Sequence, residues 1–124
     1  MITTTNISAA SDPKKWQQNA YVEIMTVIRN KSQITYNDLA LAAKMTGPNK
    51  IHRLTLWLEE MMTEDYHSGR PARVAVVISK ARDGLPAPGF FDKAEQLGLN
   101  FEKSDIHNSY KAYLQSVYAS ISDF

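Results

Sequence analysis

The side chains in this sequence that could do chemistry are few, and they are not grouped as a catalyst or a metal centre would need. The histidines His52, His67 and His107 fall in different expected elements, without a partner at the spacing of a metal site. Asp65, His67 and Ser68 are close in sequence, but a triad is made by geometry, and a polar stretch brings such residues together by chance. The chain has no cysteine, which removes thiolate ligands, thiol nucleophiles and disulfides together. It also carries no glycine-rich phosphate loop, nucleophile elbow or paired-carboxylate pattern. The expectation is a binding module that is not an enzyme and holds no metal or cofactor.

Two charged groups remain, and they point to different partners. Lys44, Lys50, His52 and Arg53 form a small positive cluster in which Thr46 and Asn49 can reach base edges or phosphates, so these six residues are the candidate DNA contacts. Glu59, Glu60, Glu64 and Asp65 form an acidic group with Tyr66 beside it. This group suits a basic protein surface such as the cleft of a nuclease, since charge steers association and aromatics anchor it.

The elements that must carry these groups run from Ile34 to Ser79. Thr35 is a good helix N-cap for the amide of Asp38, with Ile34 and Leu39 at the spacing of a hydrophobic staple. A helix from about Tyr36 follows and breaks at Met45-Thr46-Gly47-Pro48, where glycine permits a left-handed cap and proline prevents continuation. The next helix begins near Asn49. Its Ile51, Leu54, Leu58, Met61 and Met62 recur at three- and four-residue steps and face inward. Glu64 to Pro71 reads as a polar loop, and Val74 to Ile78 as a short buried strand. Two helices, a short glycine-containing turn and a strand are the parts of a winged helix-turn-helix.

Outside this stretch, residues 1–10 read as a flexible tail and residues 11–124 as one domain. Asp12 caps and Pro13 opens a first helix, with Trp16, Ala20, Ile24, Val27 and Ile28 as its inward stripe, ending near Asn30. Arg82-Asp83-Gly84 is a turn that would suit a hairpin. The two prolines in Leu85 to Phe91 suggest an edge or irregular arm. A short helix from Asp92 closes at Gly98, and Ser104 or Asp105 caps a long C-terminal helix with Ile106, Tyr110, Tyr113, Leu114, Val117 and Ile121 on one face. The expected fold class is α+β: a winged helix-turn-helix-like helical core, a small sheet and a long C-terminal helix. Trp16, Leu39, Leu54, Leu58, Val76, Leu114 and Val117 should be buried.

With 124 residues, 44% of them apolar and 22% charged, the chain can bury its own core as one domain. A net charge of +1 is not that of a nonspecific nucleic-acid coat, though local patches still act. The absence of cysteine, of a membrane-length apolar run and of a signal peptide at the start leads to the expectation of a cytoplasmic protein without membrane association.

From Ile34 to Phe91 the order of features resembles the DNA-binding domain of alkylguanine-DNA alkyltransferases and alkyltransferase-like proteins. The likeness rests on Ile34-Thr35-Tyr36-Asn37-Asp38-Leu39-Ala40, on the Gly47-Pro48-Asn49 turn, and on a helix followed by Val74 to Ile78. The reactive Pro-Cys-His-Arg signature is absent, so the resemblance implies a winged-helix fold and contact with duplex DNA, not alkyl transfer. The leading expectation is therefore a small winged-helix DNA-binding protein. The alternative is a protein inhibitor, such as an immunity protein that neutralises a nuclease toxin or a small anti-defence factor.

Overall fold

A computed structural model describes residues 13–123; the tail at 1–10 and the Asp12 cap lie outside the described residues. The first helix, α1 (Pro13–Arg29), opens on a proline whose missing amide hydrogen costs nothing at that position. All five residues of its expected stripe are buried and Met25 joins them. Each large apolar side chain fully buried in this way contributes about 1.5 to 3 kcal/mol.

Strand β1 (Ile34–Thr35) leads directly into helix α2 (Tyr36–Ala42). The Thr35 hydroxyl accepts a hydrogen bond from the Asp38 amide at 3.1 Å, the expected cap. The helix stops earlier than glycine would dictate. Lys44 itself takes the left-handed conformation (φ 60°), and the Met45 amide bonds back to Ala40 at 3.2 Å. Gly47 supplies a second left-handed residue further along the turn.

Helix α3 (Lys50–His67) buries Leu54, Leu58, Met61 and Met62. Ile51, expected inside, is 38% exposed because the first turn of α3 projects beyond the core. The helix also runs through Glu64 to His67, where composition predicts a loop. The reason is Asp65, whose side chain points inward to a specific partner and is fully buried.

Val74 to Ile78 is a strand only at its end. Arg73–Val76 forms a 3-10 turn, and β2 (Val77–Ile78) pairs in parallel with β1, Ile34 opposite Val77 and Thr35 opposite Ile78. Val74, Ala75, Val76 and Val77 are all buried, enclosed by α1, α3 and helix α5 (Ile106–Ala119). Backbone so deep in a core must still satisfy its polar groups. Tyrosines do this. The Tyr110 hydroxyl donates to the Ala75 carbonyl at 2.7 Å, and the Tyr113 hydroxyl accepts from the Ala72 amide at 2.7 Å.

Asp83 and Gly84 are left-handed, and the Ser79 amide bonds to the Leu85 carbonyl at 2.9 Å, which closes a tight turn without a strand ladder. The expected arm up to Phe91 is mostly helix: Pro88 is the first residue of α4 (Pro88–Leu97), again where proline is tolerated. Phe90 enters the core, and Phe91 meets Phe101 edge-on at 5.3 Å between ring centres. Gly98 ends α4 in the left-handed conformation as expected. In α5 the buried residues are Tyr110, Leu114, Val117 and Tyr118.

The described chain is thus mostly helical with one two-stranded parallel sheet, an α+β arrangement centred on the buried turn at Arg73–Val76. Trp16, Leu39, Leu54, Leu58, Val76, Leu114 and Val117 are all buried, as their spacing predicts. Among the described residues, no helix is long and apolar enough to cross a membrane.

Candidate nucleic-acid interface

The cationic candidates lie in the connection from α2 to α3 and in the first turn of α3. Lys44, Thr46, Asn49, Lys50 and His52 are exposed, and Arg53 is half-buried beside them. Burial of Met45 holds the middle of the connection to the core, so its flanking residues project outward. Asn49 is left-handed (φ 58°) and makes no side-chain cap, leaving the first amides of α3 without a side-chain partner.

Arg53 has a definite structural task. Its Nε donates to the Pro48 carbonyl at 3.2 Å and its Nη2 to the Thr46 carbonyl, which ties the turn to α3. A guanidinium has five N–H groups, so the remaining ones can still meet an anion.

A shallow groove lies beside this surface, about 350 Å³ in volume, bordered by Thr35, Asn37, Ile51, Thr55 and Lys80. Lys80 is exposed and stands on the turn after β2, far from Lys50 in sequence. Sequence reading missed it, although a cation just after the strand is where a wing would place one. Tyr36 also borders the groove. Burial pushes its hydroxyl pKa up, partly offset by the hydrogen bond it accepts from the Ala87 amide, so it stays neutral at ordinary pH.

The acidic group loses Asp65 and keeps its three glutamates together along α3. Asp65 is completely buried and leaves it: its carboxylate receives Arg73 Nη2 at 2.7 Å, Arg73 Nε at 3.0 Å and Arg70 Nη2 at 3.1 Å. A carboxylate placed inside must be paired in this way, and a paired one is not available to a partner. Glu60 and Glu64 are exposed and Glu59 half-buried, and with Leu56, Thr63 and Lys93 they line an open depression along α3. Tyr66 is 41% exposed and its ring meets that of His67.

The histidines are separated: His52 stands in the first turn of α3, His67 at its end, and His107 on α5, with Nε2 3.7 Å from an Asp83 carboxylate oxygen. The Asp65, His67 and Ser68 grouping does not form a triad, since Asp65 is turned inward while His67 and Ser68 are exposed.

What the surface around Lys50 offers chemically is cationic side chains, hydroxyl and amide groups, and uncapped backbone amides at a helix start, all of which bind phosphate oxygens. No protein-family model matches the chain, and no curated protein or solved structure matches it.

Proposed function

We propose that the chain is a small, non-enzymatic DNA-binding module of the winged helix-turn-helix type. In this reading α2 and α3 form the helix-turn-helix, and the turn spanning residues 79–85 takes the place of a wing. The observation that supports it is that Lys44, Thr46, Asn49, Lys50 and His52 are exposed in the connection and first turn of α3, with half-buried Arg53 bonded to the Thr46 and Pro48 carbonyls beside them. Lys80 extends the positive character across the adjoining groove.

The polarity of α3 supports an end-on approach. Its positive helix end faces the ligand, while Glu59, Glu60 and Glu64 lie farther along and would be repelled by a phosphate backbone. Arg53 sets the shape of the turn, and Lys44 and Lys50 supply phosphate contacts. Without a cysteine, alkyl transfer forms no part of this reading.

Fluorescence anisotropy with labelled duplex DNA at low salt tests it directly. Lys50→Ala should weaken binding on unrelated sequences alike and lower the slope of log affinity against log salt by about one. Absence of binding by the purified chain at low salt would refute the proposal.

A further inference from the structure

A second surface lies between α3 and α4, and its chemistry is opposite to that of the first. A pocket of about 70 Å³ opens here, walled by Leu58, Met62, Val74 and Phe90, with Tyr36 and Glu59 at its edge. The four walls are core side chains, each no more than 6% exposed. The pocket is therefore an apolar dent in the packed interior. Its mouth depends on Gly89: a Cβ at that position would lie 3.5 Å from Glu59 Oε2, at ordinary contact distance, so any longer side chain would grow into the opening.

Outside the mouth the surface continues along α3 past Leu56, which is 51% exposed, between Glu59, Glu60 and Glu64. Among the described residues none of these three glutamates forms an ion pair, and the one cation bordering the depression is Lys93. An apolar pocket with a carboxylate outside any ion pair at its lip disfavours a phosphate backbone. It selects a ligand that joins aliphatic and cationic groups.

We infer that this furrow docks a basic peptide segment of a partner protein, with one aliphatic side chain in the pocket and neighbouring lysine or arginine side chains on Glu59, Glu60 and Glu64. Charge complementarity selects this occupant. Residues 1–12 of the chain contain no lysine or arginine and so cannot supply it from within. The apolar anchor would fix position while the charges set orientation and speed of encounter. The furrow and the Lys50 surface use opposite charges, and the pocket borders the groove beside Lys80 through Tyr36, Thr55 and Ala87.

The test is selection from a short random-peptide display library on the full chain, followed by anisotropy with the enriched peptides. Enriched sequences should carry an aliphatic residue flanked by lysine or arginine. Replacing both Glu59 and Glu60 by glutamine should weaken binding about tenfold, whereas Lys50→Ala should leave it unchanged. Gly89→Leu should abolish binding by closing the mouth. Gly89→Ala, whose methyl group the site accommodates, keeps the fold and should weaken binding severalfold. Enrichment of peptides without basic residues, affinity unaltered by the glutamate or Gly89 changes, or no enrichment at all would overturn the inference. Concentration-dependent self-association lost in Gly89→Leu would also overturn it, by assigning the furrow to a second copy.

Discussion

The Asp65 carboxylate and the Arg73 guanidinium meet through two nitrogens inside the protein, Nη2 at 2.7 Å from Oδ1 and Nε at 3.0 Å from Oδ2. The Arg73 amide adds a third bond to Oδ2 at 2.9 Å, so one side chain on α3 fixes both the side chain and the backbone of the central turn. Burial acts to lower the Arg73 pKa, but the bond and charge of Asp65 outweigh it and raise the pKa. Arg73 therefore stays charged, and its plane also lies over the Tyr21 ring, 5.4 Å from the ring centre.

Removing Asp65 should accordingly be costly, because it strands a buried cation. Asp65→Ala is expected to lower stability by about 3 to 5 kcal/mol in urea unfolding. Replacing both partners, Asp65→Leu with Arg73→Met, should recover part of that loss by removing the stranded charge. It should not recover all of it, since the Arg73 backbone amide would still lack an acceptor, worth about 1 to 3 kcal/mol.

The tyrosines that satisfy the central turn give a pH dependence. Burial raises the pKa of Tyr110 and Tyr113 above the ordinary tyrosine value of 10.0, with the bonds from Gln33 and Ala72 opposing it. The folded protein thus holds these protons at a pH where the unfolded chain releases them. Their contribution is complete below about pH 10 and is lost as pH rises through the folded values. Thermal melts should fall steeply on the alkaline side. Tyr110→Phe and Tyr113→Phe should each cost about 1 to 3 kcal/mol at neutral pH by unpairing a buried backbone group, and each should flatten the alkaline decline.

How much of this was legible in the sequence depended on the range of the interaction. The Thr35 cap, the stripe of α1, the α3 stripe apart from Ile51, the centre of the α5 stripe at Tyr110, Leu114 and Val117 and the Gly98 stop are set by residues within about two turns of each other, and they are found where spacing predicts them. Val74 to Ile78 is different: a branched run enclosed on all sides looks the same whether it is strand or 3-10 turn, and hydroxyls from α5 decide the outcome. Pro88 looks like a strand breaker in the sequence and is a helix starter in the fold, because that choice depends on where Phe90 and Phe91 pack. At the candidate interface the cationic cluster was visible, since it lies on contiguous residues. The removal of Asp65 from the acidic group was not, because its main partner is a residue beyond the end of its own helix.

Arg53 should act on the fold and the interface together. Arg53→Ala removes two bonds to the carbonyls of Thr46 and Pro48 and is expected to cost about 1 kcal/mol at this half-exposed site. Hydrogen exchange should quicken in the turn at residues 45–49 and stay unchanged in α5. If that turn presents Lys44 and Lys50 to DNA, affinity should fall further in Arg53→Ala than in Lys50→Ala. Equal losses would mean that Arg53 acts only as a charge.

Lys44 separates stability from binding most cleanly. It ends α2 in the left-handed conformation, where a residue with a Cβ bears a strain of about 1 to 2 kcal/mol that glycine avoids. Glycine returns part of this gain through the greater freedom of its unfolded chain, about 0.5 to 1 kcal/mol. Lys44→Gly should therefore raise stability by about 0.5 to 1 kcal/mol, while Lys44→Ala, which keeps the strain, should leave it nearly unchanged. Both variants lack the ammonium group. If Lys44 meets a phosphate, both should lose DNA affinity alike and lower the salt slope by about one. A Lys44→Gly variant that is more stable and binds DNA as tightly as the parent would confine Lys44 to ending the helix and move the positive surface to Lys50, His52 and Lys80.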